Sequence, residues 1–479
     1  MLMIRLATPL AMTVVGLLVL VAVVGCTAKL AITELELPLV EPKAADVPDA
    51  GVAQSLAAES QSAQTSAADA GWPALFGPHR TSHTNERINP VWPADGPSVL
   101  WETEIGTGYG SPVTSDGCVI FNHRLESNDV VECREAHTGE VLWTHQEPTS
   151  AECDFEYSNG PYSTPLIDKT NRRVFCVGSQ GRMSCLHFDT GELVWSRALN
   201  QEYGVEPDIF PTGSSPILDE SESNGLQLIY NLGAGDREAG VVALNAETGE
   251  TIWESTTHGA GYCSPLVASI HGQRFVFVFT NEGLVCLHPD TGQKDWEFEH
   301  YSRAPMSYNA VSPLLYEEKV LVVTGPGPGA VCVQVQPDRS FEVLWKDRRV
   351  IDCQYNTLMM HEGTVFSFTS AGQGGAEFRC IDFNTGELRW RYHSVLRRGQ
   401  GLIAGNAIIL LGERGHLASL VNTPKASQVI SFTREPLMSE PCYCSPAIQN
   451  GVLFLKDEER LVALNVSLSE DTDSSMASK

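Results

Sequence analysis

A seven-residue cassette constrains this chain more than anything else in it. Asn384-Thr-Gly-Glu-Leu-Arg-Trp390 has near-copies at His137–Trp143, Asp189–Trp195, Glu247–Trp253 and Asp290–Trp296. Each copy follows a stretch in which apolar and polar residues alternate, as in Arg182-Met-Ser-Cys-Leu-His-Phe-Asp189. A period of two marks a half-buried strand, Gly supplies the positive φ of a tight turn, and Trp sits on the returning strand. The unit is a β-hairpin. Upstream of most hairpins a second pair of short strands is introduced by small residues and Pro: Gly110-Ser111-Pro112, Ser163-Thr164-Pro165, Ser214-Ser215-Pro216, Cys263-Ser264-Pro265, Val311-Ser312-Pro313 and Cys444-Ser445-Pro446. Each repeat therefore holds four strands.

The tryptophans Trp143, Trp195, Trp253, Trp296, Trp345 and Trp390 lie 43 to 58 residues apart. Four strands at that period make a propeller blade rather than a helical solenoid. A seventh hairpin, over residues 416–432, has lost its Gly and Trp. Residues 460–466 then supply a third strand with nothing after it to pair with. The missing partner lies near the other end of the chain, in Ser98-Val-Leu-Trp-Glu-Thr-Glu-Ile105, where Trp101 stands as the other tryptophans do. The expected fold is all-β, an eight-bladed propeller over 96–466, closed by this N-terminal strand so that no circular edge stays open.

The recurring Ala or Cys, then Asp or Asn, then Thr-Gly and finally Trp resembles the repeat of pyrroloquinoline-quinone (PQQ) type propellers. That superfamily holds quinoprotein alcohol dehydrogenases and BamB-type outer-membrane assembly lipoproteins. The resemblance runs from about residue 72 to 466, and the lead-in segment 72–95 opens with a Trp-Pro-x-x-Phe stretch similar to that of many bacterial members. It implies that Trp101, Trp143, Trp195, Trp253, Trp296, Trp345 and Trp390 pack between neighbouring blades, each indole N–H meeting a backbone carbonyl. The cassette then builds the fold and need not touch a quinone. Because the superfamily contains enzymes and scaffolds, the resemblance does not choose between them.

The ends of the chain speak to location. Met1 to Arg5 precede an apolar run from Leu6 to Val24, which closes in Val23-Val24-Gly25-Cys26. This resembles a bacterial lipoprotein signal, residues 1–25, cleaved before a lipidated Cys26; the run is also long enough to span a bilayer uncut. Both readings export the chain and tether it to a membrane, with the lipoprotein reading placing it on the periplasmic face. Residues 26–71, rich in Ala and Ser, read as a disordered tether, and 467–479 as a disordered acidic tail.

With 32 basic against 59 acidic side chains, the net charge of −27 repels nucleic acid and anionic lipid over most of the surface. Of the 13 cysteines, Cys133, Cys185, Cys286 and Cys380 stand five residues before the turn Thr. That slot is taken by Ala243 before Thr248, and Cys332 belongs with them; such residues read as small buried hydrophobes. Cys153, Cys263, Cys353, Cys442 and Cys444 fall in the connections near the channel mouth, where one or two disulfides or a thiol cluster could form. No Cys-x-x-Cys pair or suitably spaced His marks a metal site.

The enzyme alternative, a PQQ- and Ca²⁺-dependent alcohol or sugar dehydrogenase, needs cation ligands, a base, and cationic groups for the quinone carboxylates. The chain lacks the adjacent cysteine pair of many such dehydrogenases and any Cys-x-x-Cys-His haem attachment. It also lacks a Gly-x-Ser-x-Gly elbow, a P-loop and His-Glu-x-x-His. No catalytic residue or cofactor is expected. A carbohydrate-binding propeller is a further alternative, to which Tyr157, Tyr203, Phe210 and Tyr301 would contribute if exposed.

The expected role is a monomeric scaffold for a protein or peptide partner. Its candidate binding face is formed by the blade-to-blade connections, where acidic Glu152, Asp154, Glu156, Glu206 and Asp208 precede Arg303, Arg348, Arg349, Arg397 and Arg398. Because blade order is angular order, the two charges should occupy opposite sectors of that face.

Overall fold

Seven consecutive stretches of the chain fold into four-stranded antiparallel sheets: residues 113–148, 166–198, 217–255, 266–299, 314–347, 359–393 and 399–432, here blades 1 to 7. Blade 8 takes three strands from the C-terminal region, Ala447–Gln449, Val452–Lys456 and Arg460–Asn465, and its outer strand, Ser98–Glu104, from the N-terminal region. Ser98 pairs with Asn465 and Glu104 with Arg460, closing the ring with antiparallel bonds. The computed structural model describes residues 71–468 except 154, 156, 206–209, 306, 371–374 and 394. The expectations about the signal peptide, Cys26, the tether and the tail beyond Leu468 fall outside these residues. Among the described residues the only α-helix is Leu199–Tyr203, and none is long and apolar enough to cross a membrane.

The core lies between blades. Val113, Ile120, Val131, Cys133 and Trp143 of blade 1, for example, pack against Ile167, Val174, Cys176, Leu186 and Phe188 of blade 2. Inside each blade the cassette Trp stands directly across from the small residue of the preceding strand: Trp143 opposite Cys133, Trp195 opposite Cys185, Trp253 opposite Ala243, Trp296 opposite Cys286, Trp345 opposite Cys332 and Trp390 opposite Cys380. Trp101 faces Ala463 in the same way across the closing strand pair. A register shift at each of these pairs swings the indole toward the next blade. Only a small side chain leaves room for it, which is why Cys and Ala interchange there.

The cassette Gly receives the Trp of the blade before it. Gly191, with φ 70°, lies so close to the Trp143 ring that an added Cβ would sit 2.5 Å from a ring carbon. The same approach joins Gly139 to Trp101, Gly249 to Trp195, Gly292 to Trp253 and Gly386 to Trp345. Each indole N–H also donates across that interface, Trp143 to Phe188 O at 2.8 Å and Trp253 to Pro289 O at 2.8 Å. Trp101, Trp195, Trp345 and Trp390 donate similarly to Ala136, Ala246, Phe383 and Thr423. Trp296 differs. Arg339, at φ 68°, occupies the Gly place in the turn of blade 5, Phe341 packs on the indole at 4.4 Å, and the Trp296 N–H has no partner.

The loss of Trp from blade 7 has a topological cause. The turn it would pack on belongs to blade 8, whose third and outer strands come from opposite ends of the propeller sequence and share no hairpin. The lead-in segment runs through that gap. Asn89 N–H donates to Val466 O at 2.8 Å, Ser419 Oγ–H to Pro90 O at 2.6 Å, and Trp92 N–H to Ser431 Oγ at 3.0 Å. Ser431 faces Ser419 in the register that Trp and Cys hold elsewhere. Trp92, buried with Leu417 of blade 7 and Leu453, Leu455 and Leu464 of blade 8, fills the space of the absent indole.

Candidate functional site

The innermost strand of each blade lines the central channel, beginning at the face where the chain enters from the blade before. At the opposite mouth the lead-in segment crosses the channel. Trp72 forms a two-way bridge with Thr114 of blade 1, and Ile167 of blade 2 donates to Pro73 O. Met360 of blade 6 donates to Thr81 O, and Ser82 O accepts from Ile403 of blade 7. His83–Thr84 adds a short parallel strand to blade 7, with the His83 ring 4.5 Å from that of His361. Residues 72–84 thus occupy this mouth from within, and the half-buried His83 packs against a second ring.

The other mouth is built from the residues around the Ser-Pro motifs. The backbone N–H before four of the six motif prolines donates to a hydroxyl of the next blade: Ser445 to Ser111 Oγ, Ser111 to Thr164 Oγ1, Thr164 to Ser215 Oγ and Ser264 to Ser312 Oγ, at 2.8 to 3.0 Å. This belt satisfies backbone groups at the crowded start of the inner strands. Tyrosines stand four residues upstream of those strands at Tyr109, Tyr162, Tyr262, Tyr355 and Tyr443. Tyr109 packs on Tyr162 at 4.7 Å and on Tyr443 at 5.1 Å, and Tyr355 on Tyr443 at 4.8 Å.

The last contact skips blade 7, which it can do only by leaning inward over the channel. A second arc joins Phe210 to Tyr157, Tyr262 and Tyr308 at 5.3 to 6.2 Å, with Tyr262 and Tyr308 5.3 Å apart. Burial holds the Tyr109, Tyr162 and Tyr355 hydroxyls above the usual phenol range, so these rings stay uncharged. The recurring Tyr-x-Ser/Thr-Pro of residues 109–112, 162–165, 262–265 and 443–446 is the sequence signal for this feature.

Of the charged residues expected on this face, Asp154, Glu156, Glu206 and Asp208 lie outside the described residues, and Glu152 is exposed. Arg303, Arg349 and Arg397 are exposed as well, while Arg348 is anchored through Nε to Gly327 O at 2.8 Å. Arg398 differs from its neighbour Arg397. It turns inward, 5.0 Å above the Tyr355 ring, and its Nε meets the buried Glu413 carboxylate at 2.8 Å. Tyr203, expected among exposed aromatics, is instead buried and bonded through its hydroxyl to Glu254 at 2.7 Å.

The mouth cysteines Cys263, Cys353, Cys442 and Cys444 are buried thiols, and no disulfide joins them. Cys263 Sγ donates to Val311 O at 3.3 Å and Cys442 Sγ to Ser439 O at 3.2 Å. Cys444 lies 3.7 Å from Nζ of the buried Lys456, which itself donates to Gly108 O at 2.6 Å. The disulfide expectation therefore gives way to separate buried thiols, three of which, Cys263, Cys442 and Cys444, pack against a carbonyl or ammonium partner. Burial pushes Cys185, Cys332, Cys353 and Cys380 up to about 12.

A quinone with its cation would need converging oxygen ligands and unpaired cationic groups here. Among the described residues no three or more His, Cys, Asp or Glu side chains converge as a metal site. Arg398, stacked over the Tyr355 ring, is engaged by Glu413. The described residues at this mouth do not fit that cofactor.

Comparison with known proteins agrees with the architecture. A family model described as outer membrane protein assembly factor BamB matches residues 127–392. The outer membrane protein assembly factor BamB of Yersinia pestis is 23% identical over 287 residues, a match covering 57% of this chain and 64% of that protein. Among solved structures, BamB from Moraxella catarrhalis aligns with a TM-score of 0.54 at 13% identity, over 78% of this chain and 98% of its own. The quinohemoprotein alcohol dehydrogenase of Comamonas testosteroni aligns at 0.56 and 14% identity, over 88% and 85%. At such identities the two structures speak to the fold alone. The family match spans more than half of the chain and coincides with the Trp-to-Gly cassettes of blades 1 to 6, so the chain belongs to the PQQ-type propeller family of the outer membrane protein assembly factor BamB.

Proposed function

We propose that this protein is an extracytoplasmic, membrane-tethered scaffold that holds a polypeptide partner across its tyrosine-lined face. The observation that carries this reading is the channel itself, occupied at one mouth by residues 72–84 and bordered at the other by tyrosines that lean across blade boundaries. Such a channel offers an outer surface rather than an inner chamber. Phe155 and Tyr157, 43% and 46% exposed, extend the aromatic surface outward, and rigid aromatics of this kind anchor protein interfaces. The description of the family as an assembly factor supports the reading, and Val23-Val24-Gly25-Cys26 supports the tether.

A photo-crosslinking residue at Tyr157 should trap an envelope protein in living cells, whereas the same residue at Lys169, in the turn between the first two strands of blade 2, should not. Equal trapping at both positions, or none at Tyr157, would overturn the reading. Calorimetry with PQQ, with and without Ca²⁺, addresses the dehydrogenase alternative: calcium-dependent stoichiometric heat would replace the scaffold reading.

A further inference from the structure

The aromatic mouth does not account for a second feature of the same face. Between blades 4 and 5 lies a groove of about 510 Å³, walled by Glu299 to Ala304 on one side and by the Pro326-Gly327-Pro328 turn, Lys346 and Arg348 on the other. Three of its side chains are cationic, in a chain whose net charge is −27. Among the described residues neither Lys346 nor Arg348 has an ion-pair partner, and Arg348 is held in place through Nε so that its remaining N–H groups stay available. Arg303 lies over the Tyr301 ring at 5.6 Å and meets only the exposed Glu299.

His300, 2% exposed, lines the groove; its Nε2–H donates to Gly329 O at 3.0 Å, while Nδ1 has no partner. With Nε2 committed as donor, Nδ1 carries a lone pair that lacks a donor.

We infer that this groove binds an extended acidic polypeptide segment, its carboxylates meeting Lys346, Arg348 and Arg303. The inference rests on the scaffold reading and names the partner's chemistry. The volume falls in the range that encloses several side chains rather than a small inorganic ion. Prolines and Tyr301 offer flat apolar walls of the kind that extended chains lie against. In a molecule that repels acidic chains almost everywhere, a local cationic groove also fixes where such a chain can dock.

The test titrates the purified protein with a fluorescent, end-capped peptide of alternating Glu and Ala, and separately with inorganic phosphate as competitor. Saturable binding that weakens about tenfold or more in Lys346→Glu/Arg348→Glu, and that equimolar phosphate does not displace, is expected. Both substitutions are on exposed side chains, so folding should persist; an unchanged unfolding midpoint checks this. Unaltered affinity in the double variant, or no saturable binding by the wild-type protein, would overturn the inference. Displacement by equimolar phosphate would overturn it in favour of a small-anion site. Crosslinking from Tyr157 in the same double variant separates the two readings, since its persistence leaves the scaffold standing while the groove fails.

Discussion

Gly191→Ala tests the Trp-to-Gly coupling that runs round the ring. At φ 70° any L-residue other than Gly is strained, by about 1 kcal/mol. The new methyl would also lie 2.5 Å from the Trp143 ring, and relieving such overpacking costs roughly 1 to 3 kcal/mol. Gly225 serves as the control: its φ is 72°, yet nothing lies within 4 Å of an added Cβ. Gly225→Ala should therefore lose only the backbone part, about 1 kcal/mol, and Gly191→Ala about 2 to 4 kcal/mol.

Urea unfolding followed by tryptophan fluorescence measures both. Because a ring of repeats can unfold in stages, amide exchange in Leu193–Ala198 should be read alongside. Shortening the indole, as in Trp143→Leu combined with Gly191→Ala, should recover part of the penalty and show the coupling as non-additivity. If Gly191→Ala and Gly225→Ala lower stability equally, the interblade contact is not what demands glycine.

Trp92→Ala should cost about 3 to 5 kcal/mol, as a large core truncation does, and amide exchange should speed up first in Ala407–Gly412 and Val452–Lys456, on either side of its gap. Trp253→Phe should lose about 1 kcal/mol through its bond to Pro289 O, whereas Trp296→Phe, with no such bond to lose, should cost less; paired thermal melts compare them. Cys380→Ala should be nearly neutral because Ala243 fills the equivalent slot, while Cys380→Leu should crowd Trp390 and lower the unfolding free energy measured in urea by about 1 to 3 kcal/mol.

Burial between Phe279 and Phe298, aided by Lys346, lowers His300 to about 4 from an ordinary 6.5. The unfolded chain therefore takes up this proton at higher pH than the folded one. Stability should fall as pH drops from 6.5 toward 4, by on the order of 3 kcal/mol from this group; His300→Gln should flatten that part of the pH–stability curve.

What the residues disclosed follows from where information repeats. The cassette, the Ser-Pro starts and the unpaired strand at 460–466 recur or conspicuously fail to recur, so the ring, its eight blades and its closing strand could be read from them. The reason for the cassette Gly could not, because it is a relation between one repeat's Trp and the next repeat's turn. The missing Trp of blade 7 looked like decay until the seam showed Trp92 in its place. At the candidate site, Tyr109, Tyr162, Tyr262 and Tyr443 stood in a recurring Tyr-x-Ser/Thr-Pro pattern that was open to view. Arg397 and Arg398 show the limit: neighbours in a connection without periodicity, one points to solvent and the other into the mouth, and only the burial of Glu413 decides which.

The path of residues 71–95 also fixes how mechanical tension would enter the molecule. A pull applied upstream of Gly71 reaches the propeller first through the paired bonds between Trp72 and Thr114, on an inner strand beside the central axis. It must then work through the contacts with blades 2, 6 and 7, and the gap held by Trp92, before reaching the closing strand Ser98–Glu104. The closing strand, whose departure would open the ring, is shielded behind a serial clamp. A propeller held by its N-terminal side can thus bear tugging by a bound partner without being unzipped from its most vulnerable edge.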